Sequence, residues 1–295
     1  MRPLLVAMVP ADAPRLDADF VRVVAQLAGA DPAAANWLGV GAAVELPVAG
    51  EPDAVLAQAR ATFADARLDL ALVQPEGRRK RLLISDMDST MLENETLDEL
   101  SEQAGVGAAV KAITARSMRG EIDFEAALRE RVAMLEGLEV AALDRTAQRM
   151  RVMAGARELV GTMRAHGAHT LLVSGGFLFF TGLAAKAIGF DADAANDLGI
   201  EGGRLTGRLM GAIVDRRRKR DLMDEAAAAR GLTRADCLAV GDGANDLDMI
   251  QAAGMGVAFR GKPIVAAAAP FRIDHCDLTA LLYLQGYRRD AFVSA

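Results

Sequence analysis

"SDMDST", residues 85–90, follows the apolar run Leu82-Leu83-Ile84 and ends it with two carboxylates. An apolar run that passes directly into acids reads as a buried strand carrying Asp86 and Asp88 to its exposed end. Each acid raises the cost of ionising the other. Either they cap the next helix, or something positive sits between them. Two further apolar runs end in the same manner: Thr170–Val173 before "SGGF", and Cys237–Val240 before "GDGAND". Helical stretches separate the three runs, as in a parallel sheet with crossover helices. Open α/β sheets bind ligands outside the carboxyl ends of their strands, and all three motifs fall there.

Around this core the chain carries two insertions. Residues 92–152 hold charge-rich helical segments and no clear strand, too long for a simple crossover, and read as a helical cap over the site. "LGIEGGRLTGRLMGAIV" (198–214) alternates about Gly202-Gly203 and reads as a β-hairpin near the same rim. Upstream, strands are expected at Leu4–Val9, twice within Trp37–Leu46, and at Leu68–Val73. Helices are expected at Leu16–Leu27 and Pro52–Phe63, so the order is βαββαβ, the ferredoxin-like pattern. "QPEGRRK" (74–80) has the composition of a linker. The expected fold is α/β: a doubly wound, Rossmann-like parallel sheet with a helical cap over 78–295, preceded by a ferredoxin-like unit with its linker over 1–77.

Composition bounds the function. The chain has 295 residues, 52% of them hydrophobic, which supports a large core. A formal net charge of −6 argues against a nucleic-acid partner. No apolar run approaches the roughly 20 residues that span a bilayer, and "MRPLLVAMVPADAP" turns acidic at Asp12 without a cleavage signal. Cys237 and Cys276 are expected to be free, buried thiols in a reducing cytoplasm. His166, His169 and His275 form no ligand motif.

Two acids at i and i+2 after a strand suit a divalent cation with oxygen ligands, such as Mg²⁺. Asp242 in "GDGAND" can supply a third acid, and Asp246, one helical turn later, can orient a metal-bound water. Ser174, Gly175 and Gly176 offer a hydroxyl and unobstructed N–H groups at a helix start, a seat for an anion. "DRRRKRDLM" (215–223) holds five cations in a row. Most of such a run is a solvated face, but Lys219 suits a phosphate as a point charge.

In that order, "DMDST", "SGG", Lys219 and "GDGAND" resemble the haloacid dehalogenase superfamily of phosphotransferases. "DMDSTMLENETLDELSEQAG", "MRGEIDFEAALRERVAML" and "VSGGF" resemble its phosphoserine-hydrolysing family, over about residues 81–287. Met87 stands where that family often has Phe. The resemblance implies that Asp86 is the nucleophile and Asp88 the general acid and base. One Mg²⁺ per active site would be held by Asp86, the Asp88 backbone carbonyl and Asp242, with Asp246 in its outer shell. Ser174, Gly175 and Lys219 would bind the phosphoryl group and Asn245 would orient it. Glu95 would meet the ammonium, and Arg131 the carboxylate, of O-phospho-L-serine, in the last step of L-serine biosynthesis in the cytoplasm. The N-terminal unit resembles the ACT domain, which implies serine binding or dimerisation. Two other readings stand beside this one: hydrolysis or transfer from another small phosphate ester, such as homoserine phosphate, and a serine-sensing regulatory protein.

Overall fold

The computed structural model describes residues 2–118 and 121–293. Two sheets organise them. The first is antiparallel, built from β1 (Leu4–Met8), β2 (Asn36–Gly39), β3 (Ala43–Pro47) and β4 (Asp69–Val73) in the order β2-β3-β1-β4. Helices Ala18–Ala28 and Pro52–Thr62 complete the βαββαβ order. Alternation along the strands sorts the side chains between two faces. Leu5, Ala7, Val44, Leu46 and Leu70 pack with the two helices. Val6, Met8, Ala43, Ala71 and Val73 share one hydrophobic cluster with Leu281, Leu282 and Tyr283 of the short helix Ala280–Leu284, near the end of the chain.

The second sheet is β5 (Leu82–Ser85), β6 (His169–Phe177), β7 (Ala192–Glu201), β8 (Arg204–Met210), β9 (Cys237–Gly241), β10 (Met255–Phe259) and β11 (Phe271–Ile273), in the order β11-β10-β9-β5-β6-β7-β8. Only β8 runs antiparallel to its neighbour. β5 is central and every residue of it is buried, as its unbroken apolar run requires of a strand covered on both faces. β7 and β8 form the expected hairpin, turning through Gly202 and Gly203, whose φ values of 57° and 77° suit a tight hairpin turn.

Four helices, Thr96–Gln103, Gly107–Met118, Phe124–Ala133 and Ala141–Ala147, form the insertion after β5. Its two ends are pinned together where Leu92 bridges Val152 in antiparallel fashion and the Met153 N–H donates to the Met91 carbonyl at 2.9 Å. The hairpin holds the cap from the other side: the Gly137 N–H donates to the Leu205 carbonyl at 2.9 Å, and the Leu205 N–H to the Leu138 carbonyl at 2.8 Å.

The segment 74–80 is more than a spacer. Arg78 grips Glu45 of β3 with two hydrogen bonds of 2.6 and 3.2 Å. The Lys80 ammonium donates to the carbonyls of Gly77 and Ala235, each at 2.8 Å. No helix among the described residues is long and apolar enough to cross a membrane, and Cys237 and Cys276 are free and buried.

Candidate active site

Register brings the motifs together. Ser85 of β5 pairs with Val240 of β9 and with Leu172 of β6. One step beyond that row, the Asp86 N–H still donates to the Val240 carbonyl at 3.0 Å. Asp86 and Asp242 therefore leave neighbouring strands side by side. Oxygens of Asp86, Asp242 and Asp246 lie within 4.8 Å of one another, and all three residues are buried.

Lys219 enters this cluster from the helix Arg216–Ala228, whose first turn is capped by Asp215 accepting the Arg218 N–H at 2.7 Å. Lys219, Met223 and Ala227 are its buried residues, spaced at i, i+4, i+8 on one face. The neighbouring arginines turn outward to acids: Arg216 to Asp248, Arg218 to Glu225 and Arg220 to Asp221. The fully buried Lys219 ammonium donates to Asp86 Oδ1 at 2.6 Å and Asp246 Oδ1 at 2.7 Å. Burial alone would lower its pKa, but the two carboxylates reverse this and hold it above the ordinary lysine value. Asp246 is pushed up to about 7 by burial and by the Asp86 charge, against the pull of Lys219. Asp246 Oδ2 also accepts the Gly243 N–H at 3.1 Å. A Cβ on Gly241 would lie 2.4 Å from Asp246 Cγ, so the turn needs glycine for the carboxylate to tuck beneath it.

Asp88 stands apart from this trio. Its carboxylate accepts the Thr96 N–H at 2.9 Å and the Thr96 hydroxyl at 3.2 Å. It thus caps the first cap helix as well as facing the site. Burial, then the charges of Glu95 and Asp86, raise its pKa well above the usual carboxylate range, against the two bonds from Thr96. Such surroundings favour the protonated form of the carboxyl over the charged one. The Asp88 carbonyl accepts no hydrogen bond among the described residues.

The "SGG" segment departs from expectation. It lies within β6 rather than at a helix start, and the helix begins only at Leu178. A register shift between Val173 and Phe177 bulges these residues out of the ladder with β7. Ser174 Oγ accepts the Gly176 N–H at 2.8 Å, and Asn196 Nδ2 donates to the Gly175 carbonyl at 2.9 Å. A Cβ on Gly176 would stand 3.2 Å from Asp88 Oδ2, and one on Gly175 would stand 3.1 Å from the Phe124 ring of the cap. The bulge thus lies between the acid and the cap. Asn245, half-buried in the same "GDGAND" turn, faces Gly243.

Glu95 and Arg131 come from the cap. Glu95 Oε1 accepts the hydroxyl of Ser89 at 2.8 Å. Ser89 holds a left-handed φ of 55°, a conformation rare outside glycine. Burial raises the Glu95 pKa, and the charges of Asp242 and Asp86 add to it. Arg131 shares a helix face with Phe124 at i+7. Its Nε donates to the Ala127 carbonyl at 3.2 Å, and no carboxylate among the described residues comes within ion-pair distance of it. Burial lowers its pKa, while Asp98 and Glu95 pull the other way. Sequence reasoning missed Phe124, Asn196, Ser89 and Lys262, whose ammonium lies 3.2 Å from Asp242 Oδ2. Phe124 and Ser89 lay within motifs that carried the resemblance; Asn196 and Lys262 had no signal of their own.

The haloacid dehalogenase-like hydrolase profile matches residues 83–251. The chain belongs to that family. A phosphoserine phosphatase of Streptococcus thermophilus is 45% identical over 199 residues, which cover 68% of this chain and 93% of the relative. Another, from Streptomyces coelicolor, is 42% identical over 86% of this chain, which spans only 62% of that relative's length. The crystal structure of a probable phosphoserine phosphatase from Vibrio cholerae aligns over 98% of this chain and 88% of its own, with a TM-score of 0.79 and 29% identity. The likeness to that structure extends through both sheets, whereas the family profile lies within the second.

The donor set is all oxygen: three carboxylates drawn together. Hard divalent cations prefer such ligands. The residues present fit a metal of that kind.

Proposed function

We propose that this chain hydrolyses O-phospho-L-serine to L-serine and phosphate through a phosphoryl-aspartate on Asp86. The observation that carries the reading is a complementary charge pair: Glu95 feels the charges of Asp86 and Asp242, Arg131 on the same cap feels the charge of Glu95, and the two form no ion pair with each other. A zwitterion fits between them, its ammonium on Glu95 and its carboxylate on the guanidinium fork. The names of the relatives support the same substrate.

In this reading an Asp86 oxygen attacks phosphorus as the bond to the serine oxygen breaks. Asp88 delivers its proton to that leaving oxygen. The resulting Asp88 carboxylate then takes a proton from water, whose oxygen attacks phosphorus and frees Asp86 and inorganic phosphate. Lys219 steadies Asp86 for attack, and its charge faces the phosphoryl oxygens together with Ser174 Oγ and the Gly175 N–H. Asp86, Asp242 and the Asp88 carbonyl would hold Mg²⁺, with Asp246 behind them, and the ion would offset phosphoryl charge. Phosphate release from O-phospho-L-serine with Mg²⁺, and its loss on adding EDTA, tests the reading. Equal turnover of homoserine phosphate would favour the broader ester phosphatase, and no turnover of either would end the assignment.

For residues 1–77, which we propose form a separate domain, a ligand-binding role is favoured by one observation. A cavity of about 330 Å³ lies where the β1 end and the β2–β3 turn meet the segment 276–289, with Arg15 and Arg289 in its lining. Serine is the ligand to test there, by calorimetry. The free buried thiols suit a reducing compartment, so we place the reaction in the cytoplasm.

A further inference from the structure

Two lysines divide the three converging carboxylates between them. Lys219 takes Asp86 and Asp246, as described above. Lys262 takes Asp242: its ammonium lies 3.2 Å from Asp242 Oδ2, and its main-chain N–H donates to the Asp242 carbonyl at 2.9 Å. The turn after β10 makes this possible. Arg260 adopts a left-handed φ of 46°, and its N–H donates to the Ile273 carbonyl at 2.7 Å. That bend returns the chain across the end of β9, where Asp242 begins. The two lysines differ in exposure. The Lys219 side chain is fully buried, whereas that of Lys262 is 50% exposed and has solvent on one side.

We propose that Lys262 is a positioning residue that balances the charge of the acid cluster, weakening its hold on a divalent cation and strengthening its hold on a phosphoryl anion. The inference rests on the cation-assisted phosphatase reading above. An ammonium on Asp242 repels any cation bound by that carboxylate and attracts an anion brought to the same place. Its half-exposure screens both effects, so each is modest. A purely structural role predicts the opposite sign for the cation. If Lys262 only aimed Asp242, removing it would loosen the carboxylate and weaken cation binding.

The test uses the full chain and three variants: Lys262→Met, Lys262→Gln and Lys262→Arg. Calorimetry with Mg²⁺ alone reads the cation, and inorganic phosphate as a competitive inhibitor of turnover reads the anion. Lys262→Met and Lys262→Gln should bind Mg²⁺ about 3- to 10-fold more tightly. Both should bind inorganic phosphate roughly 10-fold more weakly, and Lys262→Arg should match the wild type on both counts. An unchanged or weaker Mg²⁺ affinity in either neutral variant, with its melting temperature preserved, overturns the proposal alone. A wild-type chain that binds no Mg²⁺ overturns the proposal together with the cation reading beneath it.

Discussion

Burying an ammonium is unfavourable by several kcal/mol unless its charge is paired, and Lys219 has two carboxylates at 2.6 and 2.7 Å. Its removal would strand both acids. Lys219→Met should therefore lower folding stability by about 3–5 kcal/mol in EDTA, read by urea unfolding, with part of the loss recovered in Mg²⁺. Stability unchanged in EDTA would mean the acids are already neutral. The proposed nucleophile, Asp86, and proton donor, Asp88, separate by their own substitutions. Asp86→Asn should abolish turnover in a folded chain, and Asp88→Asn should reduce it by roughly 10²- to 10⁴-fold. A fully active Asp86→Asn preparation would end the covalent route. Arg131 tests the substrate: Arg131→Ala should cut kcat/KM for phosphoserine by roughly 10- to 200-fold, the worth of one charged hydrogen bond. It should cost p-nitrophenyl phosphate, which has no carboxylate, far less, and equal losses would assign Arg131 to the cap fold instead. Lys219 was legible within its run of cations because, as the one lysine among arginines, it suits a phosphate as a point charge; the structure adds that it is buried on one helix face with Met223 and Ala227. Lys262 was not, since its place depends on β10 lying beside β9, which no local pattern records.

Elements show the same division between local and long-range information. β5 announced itself through an unbroken apolar run, and the hairpin through its paired glycines. The "SGG" segment misled because glycine is as common before a helix as in a bulge, and only pairing with β7 decides between them. Two acids in the first sheet carried a signal that was easily read as surface charge. Glu45 and Asp69 occupy strand positions on the face of Val6 and Ala71, where alternation calls for apolar side chains. Both are buried, and both join the first sheet to the rest of the molecule. Asp69 accepts the N–H groups of Asp274 at 2.8 Å, His275 at 3.1 Å and Cys276 at 2.8 Å, capping the turn after β11. Asp69→Ala would leave those three donors without their carboxylate. It should lower stability by about 1.5–3 kcal/mol or more, measured by urea unfolding, with kcat intact because the joint lies away from the acid cluster. A neutral Asp69→Ala would mean that water replaces the carboxylate there.

At the scale of the whole molecule, the question is whether the first sheet is a detachable module. Its outer face is closed by its own two helices, so it has the layers of an independent unit. Its inner face has no cover of its own and is shared with Leu281, Leu282 and Tyr283. A chain beginning at Arg78 would bare that face and deprive Arg78 of Glu45, its partner at 2.6 Å. The Asp86 cluster draws nothing from the first sheet, since Asp86, Asp242, Asp246 and Lys219 all belong to the second unit. The shortened chain should thus keep the proposed Mg²⁺-dependent turnover of phosphoserine per folded molecule. Its melting temperature should fall by several degrees, at roughly 2–4 °C per kcal/mol for a unit of this size, and it should self-associate through the exposed apolar face. Thermal unfolding, light scattering and turnover on one preparation would read all three. An unchanged melting temperature would show that the shared face adds no stability. A folded but inactive chain would show that the first sheet acts on the site, through the segment 276–279 and the Ala154–Gly155 turn that it touches at the end of the cap.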